Sequence, residues 1–361
     1  MQILKKWREP AQNLTRSPNL IFSTELEGSA LQKLLQQANF LSEITQQGYG
    51  LAMALSDLSK ERAEIVRELN SRKVYLVGCL ILPTNAGYWF NLQNYPQATE
   101  IYRKVHSWIQ EEHLVFNALG LDIEPPISEI VHFQRSGLQG LARRLWLAHE
   151  NVLYTAALAA YTDLIAEIRH DGYEVHTYQI PLLADDRRAG TTLLQRALDV
   201  VDLPADVEVL MCLSSMPVEI FKHDLGGALI ASYGSVADGI GIGSTGRTTA
   251  HENSGEGLPA LSWPALRRDL LLAAKYTDTI YIFTLEGAVE QGILPHIAQL
   301  DWEAKAHSPI GRRLLIGFFR LLMAIVLWFV RFNLNLFAWL GWVIALFLFI
   351  RQLRWRSKAN E

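Results

Sequence analysis

Two carboxylates stand two residues apart just before a pair of prolines, in the segment Asn117–Pro126, NALGLDIEPP. Alternate residues of a β-strand share a face, so Asp122 and Glu124 point the same way, about 6.6 Å apart along the backbone. Pro125 has no N–H for a strand ladder and Pro126 restrains the residue before it, so the strand ends here and delivers Glu124 to a rim rather than a core. Paired acids at a mouth suit general acid–base chemistry. The mouth is where barrel and open-sheet enzymes keep their chemistry.

The elements that would position such a pair follow from hydrophobic patterning. Eight short apolar runs precede the C-terminal tail: Asn19–Thr24, Gly50–Ser56, Val74–Leu82, Asn117–Glu124, Tyr173–Ile180, Val207–Leu213, Ala228–Tyr233 and Thr279–Leu285. Between them lie amphipathic helical patterns at Ser29–Gln47, Ser59–Ser71, Pro96–Glu112, Glu150–Asp171, Thr191–Val201 and Pro264–Tyr276. Ser128–Asp171 is long enough for two helices broken near Ser136 and Gly137. Strands alternating with helices predict a parallel α/β sheet, and eight strands predict a closed (β/α)8 TIM-like barrel, with an open doubly wound sheet as the lesser option. Gly241–Gly246 matches a dinucleotide fingerprint by letter but lacks a following helix, so it reads as a flexible rim loop. Asp185–Arg188 reads as a solvated loop with local ion pairs.

In a barrel the residues after each strand converge on one rim. Glu25 and Glu27 follow the first run, Asp57 the second, and Asn85 with Tyr88, Trp89 and Phe90 the third. Tyr178 ends the fifth, Tyr233 the seventh and Glu286 the eighth. Acids, amides and aromatics with few lysines fit a polyhydroxylated neutral ligand better than a phosphate. Glu25, Asp57, Asn85, Tyr88, Trp89, Tyr178 and Tyr233 are therefore the candidate substrate-binding residues, and Glu27 reads as a helix cap. The net charge of −4 argues against nucleic acid as a partner. Two cysteines, Cys79 and Cys212, each inside an apolar run, read as buried thiols in a reducing compartment and rule out cysteine-based zinc or iron–sulfur spacing. No metal or other cofactor is expected.

LGLDIE resembles the end of the fourth-strand motif of chitinase-like glycoside hydrolases, Asp-x-x-Asp-x-Asp-x-Glu in a (β/α)8 barrel. Asp122 and Glu124 match its last two positions, while Asn117 and Gly120 stand where that family has aspartates. The resemblance implies Glu124 as general acid and Asp122 as the residue that orients a substrate amide, with Tyr178 or Tyr233 holding an acetamido group. A second layout follows the large clan of retaining glycosidases, in which the fourth-strand acid faces a nucleophilic glutamate near the end of the barrel. Glu286, in FTLEG, would take that place if the strand count were one too high, although Ile123 stands where that clan has asparagine. Two other readings remain open: Glu25, Glu27, Asp122 and Glu124 holding a divalent cation for phosphoester hydrolysis, or an inactive barrel that binds a glycan or a protein.

The tail is the strongest compositional feature. Leu314–Val330 and Phe332–Ile350 are apolar stretches of 17 and 19 residues, flanked by Arg312 and Arg313 on one side and by Arg351, Arg354, Arg356 and Lys358 on the other. The chain thus divides into an N-terminal extension (1–17), a barrel (18–307), a membrane anchor of two hydrophobic helices (312–351) and a basic tail (352–361). Basic flanks kept inside predict a transmembrane hairpin with the barrel in the cytoplasm, and the N-terminus carries no secretory signal. The alternative is a single span from Asn335 onward, with Leu314–Val330 in the membrane interface, because Arg320 is costly at the bilayer centre. These features predict a membrane-anchored enzyme of the glycoside-hydrolase kind, with a carbohydrate or glycolipid substrate.

Overall fold

The computed structural model describes residues 17–37, 40–126, 140–141, 143–215, 224–246, 259–332 and 339–349. Eight parallel strands pair in chain order and close on themselves: β1 (Asn19–Thr24), β2 (Gly50–Ala54), β3 (Leu76–Leu80), β4 (Ala118–Ile123), β5 (Glu174–Gln179), β6 (Val207–Met211), β7 (Gly239–Gly243) and β8 (Thr279–Phe283). Closure is direct, with Asn19 to Ser23 of β1 in register with Thr279 to Phe283 of β8. The fold is a TIM barrel.

Seven strands lie on the expected runs and one does not. Ala228–Tyr233 is a helix that buries Ala228, Ile230 and Tyr233, and the seventh strand is GIGIG. A six-residue apolar run does not distinguish strand from helix by periodicity. Alternate glycines remove the apolar signal from a strand whose every residue is buried. The expected flexible loop at Gly241–Gly246 therefore begins inside the barrel wall.

The helices around the barrel are α1 (Gly28–Leu35), α2 (Phe40–Gln47), α3 (Lys60–Ser71), α4 (Tyr95–Glu111), α5 (Leu153–His170), α6 (Leu183–Ala189), α7 (Leu193–Ala197), α8 (Ala228–Tyr233), α9 (Trp263–Ala273), α10 (Leu285–Glu290) and α11 (Leu294–Ala298). The expected helix over Ser29–Gln47 is the pair α1 and α2, and the expected break near Ser136 lies outside the described residues. Asp185–Arg188 belongs to α6, not to a solvated loop. Asp186 is fully buried and accepts from the backbone N–H groups of Leu193 (3.1 Å) and Gln195 (3.2 Å), which seats α7.

Inside the strands a small cluster of Ile21, Ala52, Val77, Ala118, Tyr178, Val209 and Tyr281 fills the barrel. The two tyrosines pack edge to face at 5.2 Å, and small side chains make room for them. A Cβ on Gly120 would stand 2.8 Å from Tyr178 Cε2. The Tyr281 hydroxyl meets His176 Nδ1, and Cys79 Sγ donates to the Tyr178 hydroxyl at 3.6 Å, so these buried polar tips are partnered.

Two further helices follow, α12 (Ile310–Arg331) and α13 (Trp339–Phe349). At 22 residues α12 is long and apolar enough to cross a membrane. It nevertheless packs along the outer helices of the barrel. Arg320 Nε pairs with Asp185 Oδ1 at 2.8 Å, its Nη1 donates to the Ser232 carbonyl, and its guanidinium lies 4.1 Å over the Tyr233 ring. Leu327 and Val330 join a cluster with Leu193, Leu194 and Leu145.

Candidate active site

The register of β4 puts Ala118, Gly120 and Asp122 on its inward face, with Glu124 next in the alternation. The loop after β3 pairs with the end of this strand. Phe90 N–H donates to the Asp122 carbonyl at 2.9 Å, and Glu124 N–H donates to the Phe90 carbonyl at 3.1 Å. Trp89 Nε1 donates to the Pro125 carbonyl at 2.6 Å. The backbone that carries the two acids is thus held by β5 on one side and by this loop on the other.

Glu25 and Glu286 arrive from the neighbouring seam. Glu25 follows β1, and Glu286 lies in the first turn of α10 just after β8, where Thr284 Oγ1 accepts from Gly287 N–H to start the helix. Because the barrel closes β8 onto β1, Glu286 Oε1 sits 3.5 Å from Glu25 N and accepts from the Thr24 hydroxyl.

These carboxyls share one charge problem. Burial, then Glu124 and Glu25, push the Asp122 carboxyl well above its usual range. Burial and Glu25 push Glu124 to about 7. Burial raises Glu286 to about 7, with Glu25 adding to it and hydrogen bonds opposing. Glu25 is the common neighbour of all three. Asp122 Oδ1 and Glu286 Oε2 are buried with no hydrogen-bond partner, as fits carboxyls held partly protonated and open to a ligand. Near neutral pH the rim carries fewer charges than carboxyls, so proton donor and charged acceptor coexist there.

The other sequence candidates are placed as follows. Asp57 does not offer its carboxylate to the rim. Its Oδ2 accepts from Gly28 N (2.9 Å) and Ser59 Oγ (3.1 Å), and its Oδ1 from Arg62 Nε (2.7 Å). Burial opposes the ionised form, but Gly28 N–H and the Arg62 guanidinium outweigh it and hold Asp57 below the usual carboxylate range. Asp57, not Glu27, satisfies the first N–H of α1, since Glu27 makes no side-chain cap. Tyr88 and Trp89 are 8% and 5% exposed and pack against Ala54 and Ile81, so they form a wall and not an open platform. Asn85 is exposed on a 3₁₀ turn. Tyr178 lies in the barrel interior beside Cys79 and Tyr281. Tyr233 is not on the rim: it faces α12 from α8, and its hydroxyl donates to Asp185 at 2.6 Å. Sequence reasoning missed Cys79 as part of the floor, although its inward position beside Gly120 was available from the alternation of β3. Burial pushes its thiol up to about 12, eased by the bond to Tyr178 and added to by Asp122 and Glu25.

Among the described residues no three His, Cys, Asp or Glu side chains group so as to hold a metal ion. The rim acids lie within electrostatic range of one another without converging on a point.

Fold and site together define a (β/α)8 barrel with a carboxylate cluster at its C-terminal rim. No family model matches the chain, and no curated protein matches it. Solved structures similar to it include the PgaB (BpsB) glycoside hydrolase domain from Bordetella bronchiseptica, at 11% identity and a TM-score of 0.48, covering 80% of this chain and all of that one. A family 2 AP endonuclease from Brucella melitensis is similar at 13% identity and a TM-score of 0.40, covering 76% of this chain and 98% of that one. Gas2p of Saccharomyces cerevisiae, in complex with laminaritetraose and laminaripentaose, is similar at 9% identity and a TM-score of 0.38, covering 73% of this chain and 55% of that one. These likenesses assign no residue, and the barrel rests on its own strand register.

Proposed function

We propose that the protein hydrolyses glycosidic bonds of a glycan or lipid-linked sugar at a membrane surface, with Glu124 as general acid. One observation carries this reading: Glu124 follows β4 in the inward alternation with its carboxyl pushed to about 7, beside Asp122, whose carboxyl burial and its acidic neighbours also raise well above the usual range. A carboxyl in that range is still substantially protonated at neutral pH, as protonation of a leaving glycosidic oxygen requires. Burial and the neighbouring acids favour the protonated form of Asp122, the form that donates a hydrogen bond to a substrate amide or hydroxyl. Glu25 and Glu286 supply the negative charge that meets an oxocarbenium-like transition state, and Glu286, with its buried free oxygen, is the candidate nucleophile or base. It stands after the eighth of eight strands, so the second layout, which needed the strand count to be one too high, does not apply to it. Attachment through the tail, with Arg312 and Arg313 on the cytoplasmic side, puts the barrel in the cytoplasm.

The test uses the full chain in detergent micelles with aryl glycosides, N-acetylated and not. Glu124→Gln should lower turnover by about 10²–10⁴-fold on poor leaving groups and far less on dinitrophenyl glycosides, which need no protonation. Unchanged turnover in Glu124→Gln, or equal loss on both leaving groups, refutes the assignment. The repulsion at the rim would also be relieved by a divalent cation, so a chelator-sensitive phosphoesterase without glycosidase activity would select that second reading.

A further inference from the structure

We propose that α12 lies in the plane of the membrane interface, locked to the flank of the barrel, and does not cross the bilayer. The proposal rests on the membrane-attachment reading above and goes beyond it in depth and orientation. The helix has two stripes of identical spacing. Ile316, Arg320, Met323, Leu327 and Val330 face the protein. Leu314 (68% exposed), Phe318 (61%), Leu321 (59%), Ile325 (55%) and Trp328 (56%) lie on the opposite side. Both follow the four-three alternation of one helix face, and residues two apart lie about 200° apart around the axis, so the stripes are nearly diametric.

Crossing the bilayer is incompatible with the inner stripe. Arg320 is 17% exposed, and its guanidinium is committed to Asp185, the Ser232 carbonyl and the Tyr233 ring. Arg331, at the other end, donates to the Ala189 carbonyl at 3.2 Å. A spanning helix would either drag α6 and α8 into hydrocarbon or strip Arg320 of these partners, leaving Asp185 buried without its counter-charge. A helix lying flat keeps every one of these bonds and puts the outer stripe in lipid.

Lipid is the occupant that the surroundings fit. The outer stripe, from Leu314 to Trp328, runs about 21 Å at 1.5 Å per residue. Further along the chain, the described residues of α13, Trp339–Phe349, are all exposed too. Arg312, 44% exposed, and Arg313 stand at the start of α12, where cationic side chains meet anionic headgroups.

The experiment places nitroxide labels on single cysteines at Leu314, Leu321 and Trp328 of the full chain, in vesicles of phosphatidylethanolamine and phosphatidylglycerol at 3:1. Cys212 is fully buried and Cys79 is half-buried inside the barrel with its thiol bonded to the Tyr178 hydroxyl, so the introduced thiol on the outer face is the accessible one. Accessibility to oxygen and to a nickel chelate reports depth. An in-plane helix gives all three labels one shallow depth of about 5–10 Å. A spanning helix gives a profile deepest at Leu321, about 15 Å down, which overturns the proposal. Labels shielded from both probes and broadened by one another show a second copy on the stripe, which also overturns it. Flotation with the vesicles tests attachment separately, so a chain that does not float refutes the membrane reading itself. Arg320→Leu removes the lock while keeping the apolar length, and should convert the flat profile to a deep one. A profile that stays flat in that variant refutes the lock.

Discussion

Glu124→Gln should make the protein more stable as it makes it inactive, and only above acid pH. Folding raises the Glu124 carboxyl from its ordinary 4.5 to about 7, so the fold favours the protonated form. That contribution is complete below about pH 4.5 and is lost as pH climbs through about 7. At roughly 1.4 kcal/mol per unit, ionising Glu124 in the folded protein costs about 3 kcal/mol by pH 8, an upper bound for a side chain that is only half-buried. Glutamine mimics the neutral acid and never bears this cost. Urea unfolding of the full chain in detergent, followed by tryptophan fluorescence at pH 4 and pH 8, measures the difference. The variant and the parent should be nearly equal at pH 4, with the variant ahead by about 2–3 kcal/mol at pH 8. A gap that is the same at both pH values, or a variant less stable at pH 8, refutes the claim that Glu124 is ionised against the fold.

Glu25→Gln removes the repulsion shared by Glu124 and Glu286. Both carboxyls should then titrate lower, moving the basic limb of the pH–rate profile down by on the order of one unit; an upward shift contradicts the charge assignment. Asp57→Ala leaves the fully buried Arg62 guanidinium without its anion and should cost about 3–5 kcal/mol in chemical denaturation. Tyr233→Phe should cost about 1 kcal/mol through the lost bond to Asp185 and leave turnover unchanged; a loss of turnover would return Tyr233 to the site. Gly120→Ala forces a Cβ against the Tyr178 ring and should lower stability by about 1–3 kcal/mol, read as a shift in thermal midpoint.

The paired acids were legible because two local signals agree there: strand alternation sets their common face, and Pro125 and Pro126 mark where the strand stops. Glu25 and Glu286 were legible as rim residues because each directly follows an apolar run that reads as a strand. Their electrical link was not, because it depends on barrel closure bringing β8 beside β1. The seventh strand was hidden by its glycines, whose value lies in the space they leave, and the apolar pattern that stood in for it belongs to α8. Asp57, Trp89 and Tyr233 were assigned to the ligand from position alone. Each is committed elsewhere, to Arg62, to the Pro125 carbonyl and to Asp185, and such long-range partners leave no trace in the local sequence.

The brace around Asp57 has a consequence for the rim that it does not touch. Glu25 sits in a short connection whose next residues are tied down: the Leu26 carbonyl accepts from Arg62 Nη2 at 2.7 Å, and Gly28 N–H is held by Asp57. Like charges on a loose loop drift apart and relax. Here the loop is clamped, so the repulsion among Glu25, Asp122, Glu124 and Glu286 persists as stored tension instead of dissipating as motion. The acidity of the Glu124 carboxyl is thus set in part by an arginine in the outer helical layer, and loosening that clamp would detune the rim without altering any carboxyl in it.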